Sequence, residues 1–97
     1  MKEKTMYGVE HCYYNNARST YEIFDSKKKA VNFCNTASNW KEDNFPLFIF
    51  KANFNQDLIF KEENGSWNYD DFGNTILGNY EVIQMINKEI YEELYLT

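Results

Sequence analysis

The run LFIFKANF, residues 47–54, opened by Pro46, limits the fold more than any other segment. It is nearly continuous in apolar residues and of strand length, so it reads as an interior strand covered on both faces. The rest of the chain has to supply that cover.

Upstream, Met6 to Tyr14 and Ser19 to Phe24 read as two strands around NNAR, because Asn tolerates the left-handed conformations that hairpin turns demand. The period then changes. Ala30, Phe33, Cys34 and Ala37 fall at helical spacing, with Asp25 or Ser26 placed to cap the first turn. Downstream, LIFKEE and SWNYDD flank Asn64-Gly65, a strong short-range hairpin signal. A two-residue turn there pairs Glu63 with Ser66, Glu62 with Trp67, Lys61 with Asn68 and Phe60 with Tyr69. Leu58, Phe60, Trp67 and Tyr69 then share one face.

In YEVIQMINKEIYEELYLT, Val82, Met85, Ile86, Ile90 and Leu94 follow helical spacing, and Asn79 is placed as a cap. The spacing predicts a helix over about residues 80–95, although YEVIQMI is short and β-branched enough to be a strand. The expected order is ββαβββα: one α+β domain over residues 1–97, an antiparallel sheet with both helices packed on one face.

No stretch approaches the roughly 20 apolar residues of a membrane-spanning helix, and Met1 to Glu10 lacks the apolar run of a secretory signal. Two cysteines allow at most one internal bridge, and both are expected to be reduced thiols in a cytoplasmic protein. Eight Phe, eight Tyr and two Trp are more rings than a 97-residue core usually encloses, so some are expected at the surface.

Net charge is −5, unevenly spread. Residues 1–41 carry seven Lys/Arg against four Asp/Glu; residues 42–97 carry three against eleven. An acidic chain is a poor direct ligand for nucleic acid unless its lysines cluster, and Lys27, Lys28 and Lys29 form the one such cluster. Three cations in a first helical turn oppose the helix dipole. They read as solvated residues or as a secondary contact patch for phosphate or an acidic partner.

His11, the single histidine, adjoins Cys12. Neighbours on a strand point to opposite faces, so the two cannot form a thiolate–imidazole pair. With a four-residue hairpin loop, His11 lies across from Glu22 as a half-exposed polar pair. No catalytic residue is therefore assigned. No metal is expected either: three Cys/His residues without a closely spaced pair do not make structural zinc, and a calcium loop begun at Asn68 fails at Phe72 and Asn79. Four scattered glycines draw neither GxGxxG nor a P-loop, and no cofactor is expected. The adjacent acids Glu42/Asp43, Glu62/Glu63, Asp70/Asp71 and Glu92/Glu93 read as solvated pairs, since adjacency does not raise a carboxyl pKa.

Within residues 62–72, however, Trp67, Tyr69 and Phe72 interleave with Glu62, Glu63, Asp70 and Asp71. Rings ringed by negative charge on a hairpin are the makeup of a protein-binding patch. The bland reading puts Trp67 and Tyr69 under a helix with the acids facing water. The leading expectation is a non-enzymatic acidic domain that docks onto a basic protein surface. In size and charge it resembles small acidic inhibitors encoded by phages and mobile elements, some of which occupy nucleic-acid grooves; the resemblance is one of composition, with no motif behind it. The alternatives are a small-ligand domain or enzyme with an aromatic-lined pocket, using Tyr13, Tyr21, His11 and Glu22, and a homo-oligomer with a self-complementary aromatic face.

Overall fold

The computed structural model describes residues 2–13, 18–41, 44–70 and 75–95. Among the described residues, six strands and two α-helices follow in the order β1 (Glu3–Tyr13), β2 (Arg18–Phe24), α1 (Lys27–Asn35), β3 (Asn44–Asn55), β4 (Ile59–Lys61), β5 (Trp67–Tyr69), β6 (Ile76–Met85) and α2 (Lys88–Tyr95). Strands β2-β1-β3-β6 form an antiparallel sheet, and β4 and β5 form a separate two-stranded ribbon. The result is a small α+β domain.

Strand β3 is interior, as its apolar run requires: Leu47, Ile49, Phe50 and Phe54 are fully buried. Its first residues carry a bulge, with Glu10 opposite Phe48 but His11 opposite Pro46. Proline has no N–H to give a ladder, and a bulge is where a sheet tolerates it.

Alternation along β3 makes two cores. On one face Phe48, Phe50 and Phe54 join Met6, Cys12 and Ile23, covered by Ile59, Trp67 and Tyr69 of the ribbon and by Ile90 and Tyr91 of α2. On the other, Ile49 joins Val9 and Ala30, with Val31, Phe33 and Cys34 of α1 and Trp40 packed around them. The two helices thus lie on opposite faces, not on one. The cause is β3 itself: a strand apolar on both sides strands one row of side chains in water unless each face is covered.

Helix α1 starts at Ser26, whose Oγ accepts from the Lys29 N–H at 3.2 Å, so Ser26 rather than Asp25 is the cap. It stops at Asn35, short of the expected stripe, and Ala37 is exposed in a following 3-10 turn. Side chains replace the missing next turn: Asn39 Nδ2 donates to the Phe33 carbonyl and the Trp40 indole to the Cys34 carbonyl, each at 3.0 Å.

The expected helix over residues 80–95 is half strand. Residues 80–85 belong to β6, and the helix begins only after Asn87. There the backbone is held to β3, as Ile86 and Asn87 N–H groups both donate to the Leu47 carbonyl and Asn87 Nδ2 donates to that of Pro46 at 2.6 Å. Asn79, expected as a cap, instead sits in β6 with φ of 53°. Pairing with the open side of β3 outweighs the helical spacing of Val82, Met85 and Ile86, because an unpaired β3 edge would leave buried N–H and C=O groups without partners.

Candidate functional site

The ribbon is the segment singled out by sequence, and its register differs from the expected one. Ile59 pairs with Tyr69, Phe60 with Asn68 and Lys61 with Trp67. The loop is one residue longer than a two-residue turn: the Gly65 N–H donates to the Glu62 carbonyl, and the Glu62 N–H to that of Ser66 at 2.7 Å. Gly65 alone takes positive φ, at 89°, while Asn64 Oδ1 accepts from both the N–H and the Oγ of Ser66. This is a turn followed by a glycine bulge, the common three-residue hairpin loop.

One residue of slip exchanges the faces. Trp67 and Tyr69 turn inward with Ile59. Phe60, expected beside them, turns outward and is 49% exposed. Tyr69 stacks on Tyr21, with ring centroids 4.3 Å apart and planes 10° apart, and its hydroxyl donates to the Tyr21 carbonyl at 2.7 Å. Trp67 is half-buried, and its ring is faced by Lys4 Nζ at 5.6 Å from the centroid. An intramolecular cation therefore occupies the position that a partner's lysine would take. Glu62, Glu63 and Asp70 are exposed, whereas Asp71 and Phe72 lie outside the described residues.

Lys27, Lys28 and Lys29 are exposed at the start of α1. The fold links them to the ribbon through Asp25, whose Oδ1 lies 2.9 Å from Lys29 Nζ. The Lys29 hydrogen bond holds the Asp25 carboxyl below the usual carboxylate range, against partial desolvation, with lesser contributions from the Trp67 indole and Lys61. The indole N–H is buried and directed toward this carboxylate without reaching good hydrogen-bond geometry. A depressed folded-state pKa stabilises the fold above the ordinary Asp value and ceases to do so as pH falls through the folded value. Asp25→Asn should therefore lower stability near neutral pH by less than about 1 kcal/mol, as befits a surface pair. Urea midpoints of the two proteins should converge in acid.

His11 is 5% exposed, not half-exposed. Its direct cross-strand partner is Thr20, because β2 begins at Arg18; Glu22 is the diagonal neighbour, with Nε2–Oε1 at 3.7 Å. The imidazole packs between Phe33 and Trp40, and Nδ1 lies 3.2 Å from Asn44 Oδ1. Tyr21 is on the opposite face, against Phe50, Phe54 and Tyr69, so it does not share a pocket with His11 and Glu22; the Tyr13 side chain lies outside the described residues. Burial pushes the Cys34 thiol up to about 11 and raises that of Cys12, which Glu10 raises further. Both remain protonated at neutral pH, the less nucleophilic form. Among the described residues no group of three or more His, Cys, Asp or Glu side chains could hold a metal ion, and no helix is long and apolar enough to cross a membrane.

The outward ring of the ribbon, Phe60, was assignable from sequence only by weighing the three-residue loop against the two-residue one. Both fit Asn-Gly. Comparison with known protein families, with curated proteins and with solved structures finds no match for this chain.

Proposed function

We propose that this chain is a non-catalytic protein-interaction domain whose acidic ribbon docks onto a basic protein surface, in competition with nucleic acid where that surface binds phosphate. The observation that carries the reading is the division of labour in the ribbon. Trp67 and Tyr69 pin it to the sheet, while exposed Phe60 shares the outer side with the Glu62, Glu63 and Asp70 carboxylates. A ring on a pinned support loses little freedom on binding, and the charge around it steers a cationic partner. The anchor in this reading is Phe60, with Trp67 and Tyr69 as its support. The thiol chemistry of Cys12 and Cys34 suits a reducing cytoplasm, which belongs to the same proposal.

Immobilised protein exposed to a host lysate and eluted with a salt ramp tests it. A basic partner should be held at low salt and released as salt rises. Phe60→Ala should weaken retention about tenfold, and the double charge reversal Glu62→Lys/Glu63→Lys should abolish it, with thermal unfolding unchanged in both. Retention indifferent to salt and to the reversal would discard the reading.

A further inference from the structure

The outer side of the ribbon has an order that its charge alone does not show. Ile59, Trp67 and Tyr69 face the sheet, so the alternate residues Phe60 and Asn68, directly opposite each other, face solvent together. Asn68 is held at both ends of its amide. Its Oδ1 accepts from the Tyr69 N–H at 2.9 Å, which turns Nδ2 to donate to Glu62 Oε1 at 3.4 Å. The Glu62 carboxylate is thereby drawn to the side of the ribbon that carries Phe60. A flat ring, 49% exposed, and a carboxylate oriented beside it share one surface. Trp67, on the inner side, already has Lys4 Nζ at 5.6 Å from its ring centroid. Among the described residues no cation faces Phe60, and no ion pair engages Glu62.

Building on the docking proposal, we infer that this face takes an arginine side chain of the partner, its guanidinium laid on the Phe60 ring and bonded edgewise to the Glu62 carboxylate. Charge complementarity calls for a cation, and the ring beside the carboxylate decides which kind. A lysine ammonium is compact and strongly hydrated; it can meet the ring or the carboxylate, but it has no plane with which to meet both. A guanidinium is flat, so its face stacks on a ring while its edge donates in plane to a carboxylate. Residues i and i+2 on one side of a strand stand about 7 Å apart, a gap that one guanidinium bridges. The Asn68 bond uses one acceptor site of the Glu62 carboxylate and leaves Oε2 for the incoming donors. Glu63 and Asp70, exposed on the same ribbon, add steering for any cation and do not discriminate.

Labelled hexa-arginine and hexa-lysine peptides carry equal charge, so together they separate arginine recognition from docking by charge alone. Fluorescence anisotropy at low salt should show hexa-arginine bound about fivefold or more tightly. Phe60→Leu, which keeps an apolar side chain at this exposed position and removes the π face, should weaken hexa-arginine to the level of hexa-lysine and leave hexa-lysine nearly unchanged. Glu62→Gln should also narrow the gap between the peptides, whereas Glu63→Gln should weaken both alike. Rising salt should weaken both peptides on every variant. Equal affinities for the parent protein overturn the inference and leave docking to stand or fall by its own salt ramp. A preference for arginine that persists in both Phe60→Leu and Glu62→Gln belongs elsewhere on the molecule and overturns it too. If neither peptide binds at low salt, the arginine site and the docking proposal fall together.

Discussion

Gly8→Ala should cost about 3 kcal/mol or more, the upper end of what one added methyl does to a packed core. Gly8 lies opposite Phe50 on neighbouring central strands, and a Cβ built on it would stand 2.2 Å from Phe50 Cζ and 2.4 Å from Cε1. The ring covers the glycine backbone, so Gly8 is a cavity for a side chain from the next strand. Nor has the ring anywhere to go. Phe50 is fully buried, with Tyr21 edge-on at 5.6 Å, Phe54 at 6.3 Å and Tyr80 stacked over it at 4.7 Å. Backbone separation of β1 and β3 is the remaining way to relieve the overlap, and those two strands are the centre of the sheet. A domain of this size has about 5–10 kcal/mol in total, so the variant should sit near its unfolding transition at room temperature. Urea titration measures the loss. The double variant Gly8→Ala/Phe50→Leu supplies the cross-check, because a smaller side chain at 50 makes room for the new methyl. Its cost should fall well below the sum of the two singles. Additive costs would mean that the glycine serves the backbone rather than the ring.

Tyr69→Ala should be the next most damaging change, at about 3 kcal/mol. A two-stranded ribbon is marginal by itself, so this one persists through what its inner face grips. Tyr69 contributes the stack on Tyr21 and the hydroxyl bond to the Tyr21 carbonyl. Tyr69→Phe keeps the stack and loses the bond, for about 1 kcal/mol. Glu63→Ala, on the exposed loop of the same ribbon, should change stability by no more than about 0.5 kcal/mol. Urea midpoints order the three variants, and native-state amide exchange at Glu62 and Asp70, whose N–H groups donate across the ribbon to the Ser66 and Leu58 carbonyls, should report the ribbon detaching first in Tyr69→Ala. A Tyr69→Ala protein as stable as its parent would return this ring to the binding surface and remove it from the core.

The same geometry explains which parts of the fold were legible beforehand. The apolar run of β3, the two strands before α1, the Ser26 cap and the hairpin at Asn64-Gly65 are each recorded in contiguous residues, and each is present. These are local or strongly patterned signals. The errors arose where two readings of one local pattern differ by a small local energy. Asn-Gly serves a two-residue loop and a three-residue loop alike, and the choice made by inner-face packing turned Phe60 outward and Trp67 inward. Tyr80 to Ile86 fits a helix and a strand, and the unfilled side of β3 decided for the strand.

From its residues alone this protein is committed to a strand buried on both faces, to an acidic second half and to a single histidine whose neighbour in sequence, Cys12, points to the opposite face of their strand. Only the tertiary structure decided which elements cover which face. It also decided that Trp67 lies between Lys4 and Asp25, that His11 is enclosed by Phe33 and Trp40, and that β6 stands at the edge. The reason is physical. Alternation and turn chemistry act over a few residues, but burial is shared among segments 40 or more residues apart, and no local pattern specifies which distant partner completes a core.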